Sequence, residues 1–177
     1  MTDHPASVRL RDVTLADADL LDAWNADDAS RSEFNDFGER PSPMPREVLA
    51  RGPLRNDHNG MLVVERVADA EPIGTVGWHG VRYGPNLESD AWNIGIELIP
   101  DARGRGHGTE AQRLLAMWLF ANTTLNRVEA STDVENLPEQ RSLEKAGYVR
   151  EGIQRRAQYR AGGYHDLVTY SRLRDDP

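Results

Sequence analysis

The sequence predicts a mixed α/β (α+β) fold, a sheet with helices packed on it. Three observations carry that prediction. Apolar and polar residues alternate through several short runs, most clearly in 8–13 and 92–99, which is the period of a half-buried strand. Ala111, Leu114, Leu115, Trp118 and Leu119 recur at the period of a helix with one apolar face. The first half of the chain reads mostly as strand with one or two helices, and the second half as β, α, β, α, β, β.

Residues 8–13 make the first strand. Thr14 then caps a helix through Trp24 whose inner face holds Leu15, Ala18, Leu21 and Trp24. Between Asn25 and Asn59 regular patterning stops. Asp27, Asp28, Glu33, Asp36 and Glu39 are acidic, Pro41, Pro43, Pro45 and Pro53 break structure, and 45–50 suits one short helix with its proline at the start. Phe34 and Phe37 suit a binding loop better than disorder. Residues 61–67 and 73–81 form a hairpin about the turn Asp69-Ala70-Glu71-Pro72. In 92–99 the alternation places Trp92, Ile94, Ile96 and Leu98 on one face and Asn93, Gly95 and Glu97 on the other. Pro100 ends that strand.

Residues 109–121 are the amphipathic helix and 127–132 a short strand. Asn136 opens another helix as its N-cap, with Glu139 at the capping-box position. Gly147 closes it. Residues 148–159 and 164–173 form a last hairpin around Ala161-Gly162-Gly163. That hairpin is rich in arginine (Arg150, Arg155, Arg156, Arg160, Arg172, Arg174), which suits a solvated face or contact with a phosphate.

Composition narrows the function. At 177 residues, 38% hydrophobic and 28% charged, the chain suits one globular domain spanning 1–177. It has no cysteine, which excludes disulfides, zinc-thiolate sites and a cysteine nucleophile. A net charge of -8 argues against nucleic acid as a partner and suits a cationic small molecule, a basic protein or simply a well-solvated surface. The longest apolar run, 114–121, is too short to span a bilayer, and 1–6 is polar with a proline, unlike a secretory signal. These features point to the cytoplasm and to no membrane association. No metal site is expected.

The stretch Arg103-Gly104-Arg105-Gly106-His107-Gly108 lies between a strand and a helix N-terminus. Its glycines let backbone approach a ligand closely, and the helix's first amides and dipole favour negative charge. That is an anion cradle, most often for phosphate. A dinucleotide fingerprint would need the glycines after the first strand of a βαβ unit, whereas here they follow antiparallel hairpins.

The motifs together resemble a known family. Arg103-x-x-Gly106-x-Gly108, before an amphipathic helix, resembles the acyl-CoA pyrophosphate loop of the GNAT superfamily of N-acetyltransferases. Asn136 followed by Leu143-Glu144-Lys145-Ala146-Gly147-Tyr148 resembles that superfamily's second signature, and Gly163-Tyr164-His165-Asp166 resembles the RimJ/RimL branch acting on ribosomal-protein N-termini. The resemblance implies a mostly antiparallel central sheet with flanking helices, splayed between 92–99 and 127–132. It implies acetyl-CoA as co-substrate and direct attack by an amine in a ternary complex. Backbone groups of Leu98 and Ile99 would hold the pantetheine and polarise the thioester. Amides of Arg103, Gly104, Arg105, Gly106, His107, Gly108 and Thr109 would bind the pyrophosphate, and Asn136 would contact the pantetheine arm. The acceptor would be a small-molecule amine or a protein N-terminus.

An ammonium must lose its proton before it attacks. Glu97, beside the carbonyl-binding residues, is the candidate catalytic base, with His79 second. His107 is expected to offer only its backbone. His165 and Asp166 either shape the acceptor side or bond within the hairpin. The general acid is a gap. Family members carry a tyrosine at the position of Leu143, and relatives in the branch a serine at that of Glu139. Ser142 is expected to point elsewhere and Tyr148 into the core, leaving water or the thiolate itself for that step. A catalytically idle acyl-CoA-binding module is the alternative. A homodimer is compatible with the exposed-looking C-terminal hairpin.

Overall fold

The computed structural model describes residues 6–30, 32–39 and 42–177; residues 1–5 and Pro41, which entered the sequence reading, lie outside it. Seven strands form one sheet: β1 (Val8–Asp12), β2 (Asn59–Arg66), β3 (Pro72–Arg82), β4 (Asp90–Leu98), β5 (Arg127–Asp133), β6 (Val149–Arg160) and β7 (Gly163–Leu173). Their order is β1-β2-β3-β4-β5-β7-β6. Every neighbouring pair is antiparallel except β4 and β5, which are parallel. The α-helices among the described residues are α1 (Ala18–Ala26), α2 (Arg46–Leu49), α3 (His107–Asn122) and α4 (Leu137–Lys145).

The helices divide between the two faces as the strand alternation requires. Ala111, Leu115 and Leu119 of α3 and Leu143 of α4 are fully buried against Val76, Trp78, Trp92, Ile94 and Val128. Burying each such leucine contributes about 1.5–3 kcal/mol relative to leaving it in water. On the other face, Ala18 and Leu21 of α1 and Leu49 of α2 cover Val13 and Val63, with Trp24, Met44 and Met61 at the margin. The two faces of β4 divide as its alternation foretells, with Ile96 and Leu98 packed toward α3 and α4.

Helix ends differ from the sequence expectation in α1 and α3, and β2 and β4 each begin two residues early, at Asn59 and Asp90. Thr14 opens a one-turn 3-10 segment, Leu15–Asp17, before α1 begins, so Leu15 lies off the inner face and is exposed. Helix α1 continues past Trp24 to Ala26. Helix α3 starts two residues early, at His107, because Gly106 takes a left-handed conformation (φ 84°) and acts as its N-cap.

One irregularity organises the molecule. Strand β4 pairs with β3 along its length, to Gly74↔Leu98, and β5 pairs with β7 to Asp133↔Leu167. Between β4 and β5 only Trp92↔Val128 and Asn93↔Glu129 are in register. Each strand follows its own antiparallel partner, and sheet twist then carries the two apart. From Ile94 onward no strand among the described residues pairs with β4 on that side, so the sheet opens into a V. Gly74 permits the close packing at its edge: a Cβ there would sit 2.2 Å from the Glu97 carbonyl oxygen.

Candidate active site

The open end of β4 leads directly into the glycine loop. Pro100–Ala102 makes a 3-10 turn, and Gly104 and Gly106 follow with φ of 70° and 84°, left-handed values that residues with a Cβ rarely adopt. The space around both glycines is open. Glu110 N–H donates the first helical bond, to Gly106 O, so the amides of His107, Gly108 and Thr109 carry none within the helix. These amides face an open space that a ligand could fill, but Arg103 does not contribute as expected: its N–H donates to Pro100 O (3.1 Å) and its side chain turns away. Its Nε donates to Leu98 O (2.8 Å) and its Nη2 to Ser30 O, clamping the end of β4 to the turn at 28–30.

His107 is buried in the first turn of α3 rather than standing in a loop, and its Nδ1 has no partner among the described residues. Burial holds its imidazole below the ordinary value, and Arg66 and Arg105 add to that effect. Gly108 faces the end of β4, since a Cβ on it would lie 3.6 Å from Leu98 and 3.8 Å from both Ile96 and Ser142.

Leu98 and Ile99 separate in the structure. Ile99 N–H donates to Ile73 O on the β3 side (3.0 Å) and is not available to a ligand. Backbone direction alternates along a strand, so Leu98 N–H points the other way, into the V. One donor of the expected pair faces the opening.

Glu97 lies on the opposite face and lines a cavity of about 190 Å³ with Leu21, Trp24, Met44, Met61 and Thr75. The carboxylate is exposed at the rim of an otherwise mostly apolar pocket, one residue from the Leu98 amide. His79 shares that face but sits opposite Asn93, four residues beyond the Thr75–Glu97 pair. That is roughly 13 Å along the strand, and His79 does not line the pocket.

The other wall of the V is the start of α4. Asn136 caps the helix, accepting from Glu139 N–H (3.3 Å), while its Nδ2 donates to Thr132 Oγ1 (3.0 Å). Glu139 does not complete the expected capping box. Its carboxyl turns toward α3, where Gln112 Nε2 donates to it, and burial pushes its pKa up to about 7. Ser142 points at the first turn of α3, contrary to expectation: its Oγ lies 3.0 Å from Thr109 Oγ1 and donates to Gln112 Oε1 (3.4 Å). Leu143 and Tyr148 are core residues.

A polar cluster that the sequence reading missed lies beyond β5. Asp133 and Arg160 form a buried ion pair, and His165 Nδ1 stands 3.2 Å from the same carboxylate. Arg160 also donates to Glu33 O (2.7 Å) and lies over the Phe34 ring, tying the 32–39 loop to the last hairpin. No local pattern couples Asp133 and Arg160, which are 27 residues apart. Asp166 accepts from Arg156 N–H (2.8 Å), a bond within the hairpin. Arg172 and Arg174 are not simply solvated either; they bond carbonyls at the ends of α4 and α3. Among the described residues no helix is long and apolar enough to cross a membrane.

Residues 7–149 match the model of the acetyltransferase (GNAT) domain. An uncharacterised N-acetyltransferase, p20 of Bacillus licheniformis, is 26% identical over 170 residues, covering 93% of this chain and 92% of that protein. The fold superposes on a solved RimL ribosomal L7/L12 α-N-protein acetyltransferase in complex with coenzyme A, with a TM-score of 0.77 and 18% identity over 97% of this chain and 96% of that one. It superposes equally on spermidine N-acetyltransferase of Vibrio cholerae in complex with CoA and spermine, with a TM-score of 0.76 and 18% identity over 96% and 97%.

Proposed function

Since the chain belongs to the GNAT family of N-acetyltransferases, we propose that all of residues 1–177 act as one domain that moves an acetyl group from acetyl-CoA to a primary amine by direct attack in a ternary complex. The observation that carries this reading is the V between β4 and β5, where a strand amide, a carboxylate and a phosphate cradle converge within a dozen residues. The pyrophosphate lies on the backbone amides from Gly104 to Thr109, where the α3 dipole adds to the attraction; the Arg103 N–H is already bonded to Pro100 O (3.1 Å) and is not part of the set. The pantetheine arm follows the unpaired edge of β4, beside Asn136. The thioester carbonyl accepts from Leu98 N–H, a fixed donor aimed at the developing oxyanion.

The acceptor amine enters from the face covered by α1 and α2, through the cavity that Glu97 lines. Glu97, directly or through one ordered water, takes the proton that an ammonium must lose before it attacks. The relatives divide between a protein N-terminus and a polyamine as acceptor. The Leu21, Trp24, Met44 and Met61 lining, with one carboxylate at the rim, suits an amine carried beside an apolar group, as on a peptide N-terminus. The cytoplasm, where acetyl-CoA is made and used, is the compartment this chemistry calls for.

Thermal melting with acetyl-CoA, CoA, NAD and ATP in parallel comes first, because a ligand that binds only the folded state raises Tm. CoA species alone should shift it. The Glu97→Gln variant should then lose about 10²-fold or more in kcat while its CoA affinity stays at the wild-type value. Full activity in that variant would remove Glu97 from the chemistry, and a melt indifferent to CoA would remove the acyl-CoA reading itself.

A further inference from the structure

The geometry points to Glu139 as the acid that protonates the departing CoA sulfur. This inference rests on the acyl-CoA reading above. The V has two walls. Glu97 and the α1/α2 pocket lie on one face of β4, so the acceptor and its base occupy that face. The leaving group must depart on the other, toward α3 and α4. There the first turn of α3, the end of β4 and α4 meet: a Cβ on Gly108 would touch both Leu98 and Ser142 within 4 Å. Glu139 is anchored at that junction. It follows Asn136, itself bonded to Thr132 of β5, by one helical turn, and it reaches across to Gln112 of α3.

The surroundings of the carboxyl suit an acid. Gln112, 1% exposed, donates to one oxygen and is itself held by Ser142, which in turn contacts Thr109. The other oxygen, with no hydrogen bond among the described residues, is left to carry a proton. No cation pairs with Glu139 among the described residues, and the nearby Tyr148 phenol is held protonated by its own burial. Burial raises the Glu139 carboxyl to about 7, near the optimum for proton transfer at neutral pH. Leu143 and Glu139 bring no hydroxyl to this step; a neutral carboxyl fills the same need.

The step balances. Glu97 first takes the ammonium proton and releases it to solvent; the neutral amine nitrogen then forms the N–C bond, and the nitrogen's surplus proton passes to the regenerated Glu97 carboxylate and from there to solvent. The C–S bond breaks with its electron pair on sulfur, and the Glu139 proton goes to that sulfur, giving CoA thiol and the amide. Glu139 then takes a proton from solvent.

The test pairs kinetics with a readout that does not depend on turnover. The Glu139→Gln variant keeps an oxygen for Gln112 to bond and so preserves a purely structural role. It should lose about 10²-fold in kcat, and with it the limb of the wild-type pH profile near 7 on which the rate falls as pH rises. In the wild-type protein, the ¹³C shift of the Glu139 carboxyl, titrated with pH, should move when CoA is added and move less with desulfo-CoA, which lacks the thiol. This second measurement stands even where the variant folds poorly. A well-folded Glu139→Gln variant with wild-type kcat and pH profile would overturn the assignment, as would a titration indifferent to the thiol. Either result with CoA bound leaves the acyl-CoA reading intact; failure of the wild-type protein to bind CoA would instead remove that reading.

Discussion

Asp17 and Glu139 are both carboxyls in the first turn of a helical segment, and their surroundings drive them in opposite directions. Asp17 accepts from Arg11 Nη1 and Nη2 (2.8 and 2.7 Å) and from Thr14 N and Oγ1 (2.8 and 2.7 Å). The Arg11 bond above all lowers its pKa to about 2. A depressed carboxyl contributes stability that is complete above its unfolded value, near 4, and is lost as pH falls through about 2. Asp17→Asn should therefore cost about 2 kcal/mol in urea denaturation at pH 7. The gap from wild type should close between pH 4 and 2, and a gap independent of pH would show that charge is not its source. Glu139, with a neutral amide for its carboxyl's only bonding partner among the described residues, is instead raised. Neither state was legible in the sequence, because both depend on which side chains the fold brings near. The glycine loop and the facing of Glu97 were legible, since strand parity and turn chemistry are local. The loss of the Ile99 donor was not, since it depends on how β3 comes alongside.

At the scale of elements, the sequence reading succeeded where periodicity was strong and erred at the ends. Helix α3 extends back to His107 because a left-handed glycine, not an apolar residue, sets its start. Helix α1 begins late because Asp17 and Arg11 hold the preceding turn in a tighter form. The edge between β3 and β4 makes a sharper demand. Gly74 faces the Glu97 carbonyl so closely that any side chain must push the strands apart. Gly74→Ala should destabilise the fold by about 2 kcal/mol, as overpacking does. For a chain of this size that is a Tm loss of roughly 4–8 °C. Because the displaced strand carries both Glu97 and Leu98, kcat should fall further than the loss of folded protein explains. A variant with unaltered Tm would contradict the packing read here.

For the whole molecule, the sheet is an N-terminal set, β1 to β4, and a C-terminal set, β5 to β7, each held by antiparallel ladders. Two residue pairs of parallel strand join them, supplemented by α3 and α4 across one face. The sequence foretold both sets through their hairpins. How short the join is was readable only by family resemblance, because pairing between strands that are not neighbours in the chain leaves no local signal. That join is also a mechanical seam. Native-state hydrogen exchange should resolve two cooperative units of different opening free energy, with the amides of β4 beyond Asn93 exchanging sooner than those of β3. A ligand laid along the seam would bond to both edges at once and act as the missing strand. Its binding should merge the two units into one, so that protection rises most at amides far from the ligand, in whichever half is the weaker when empty. If protection rises only at the residues lining the V, the halves were already a single cooperative body.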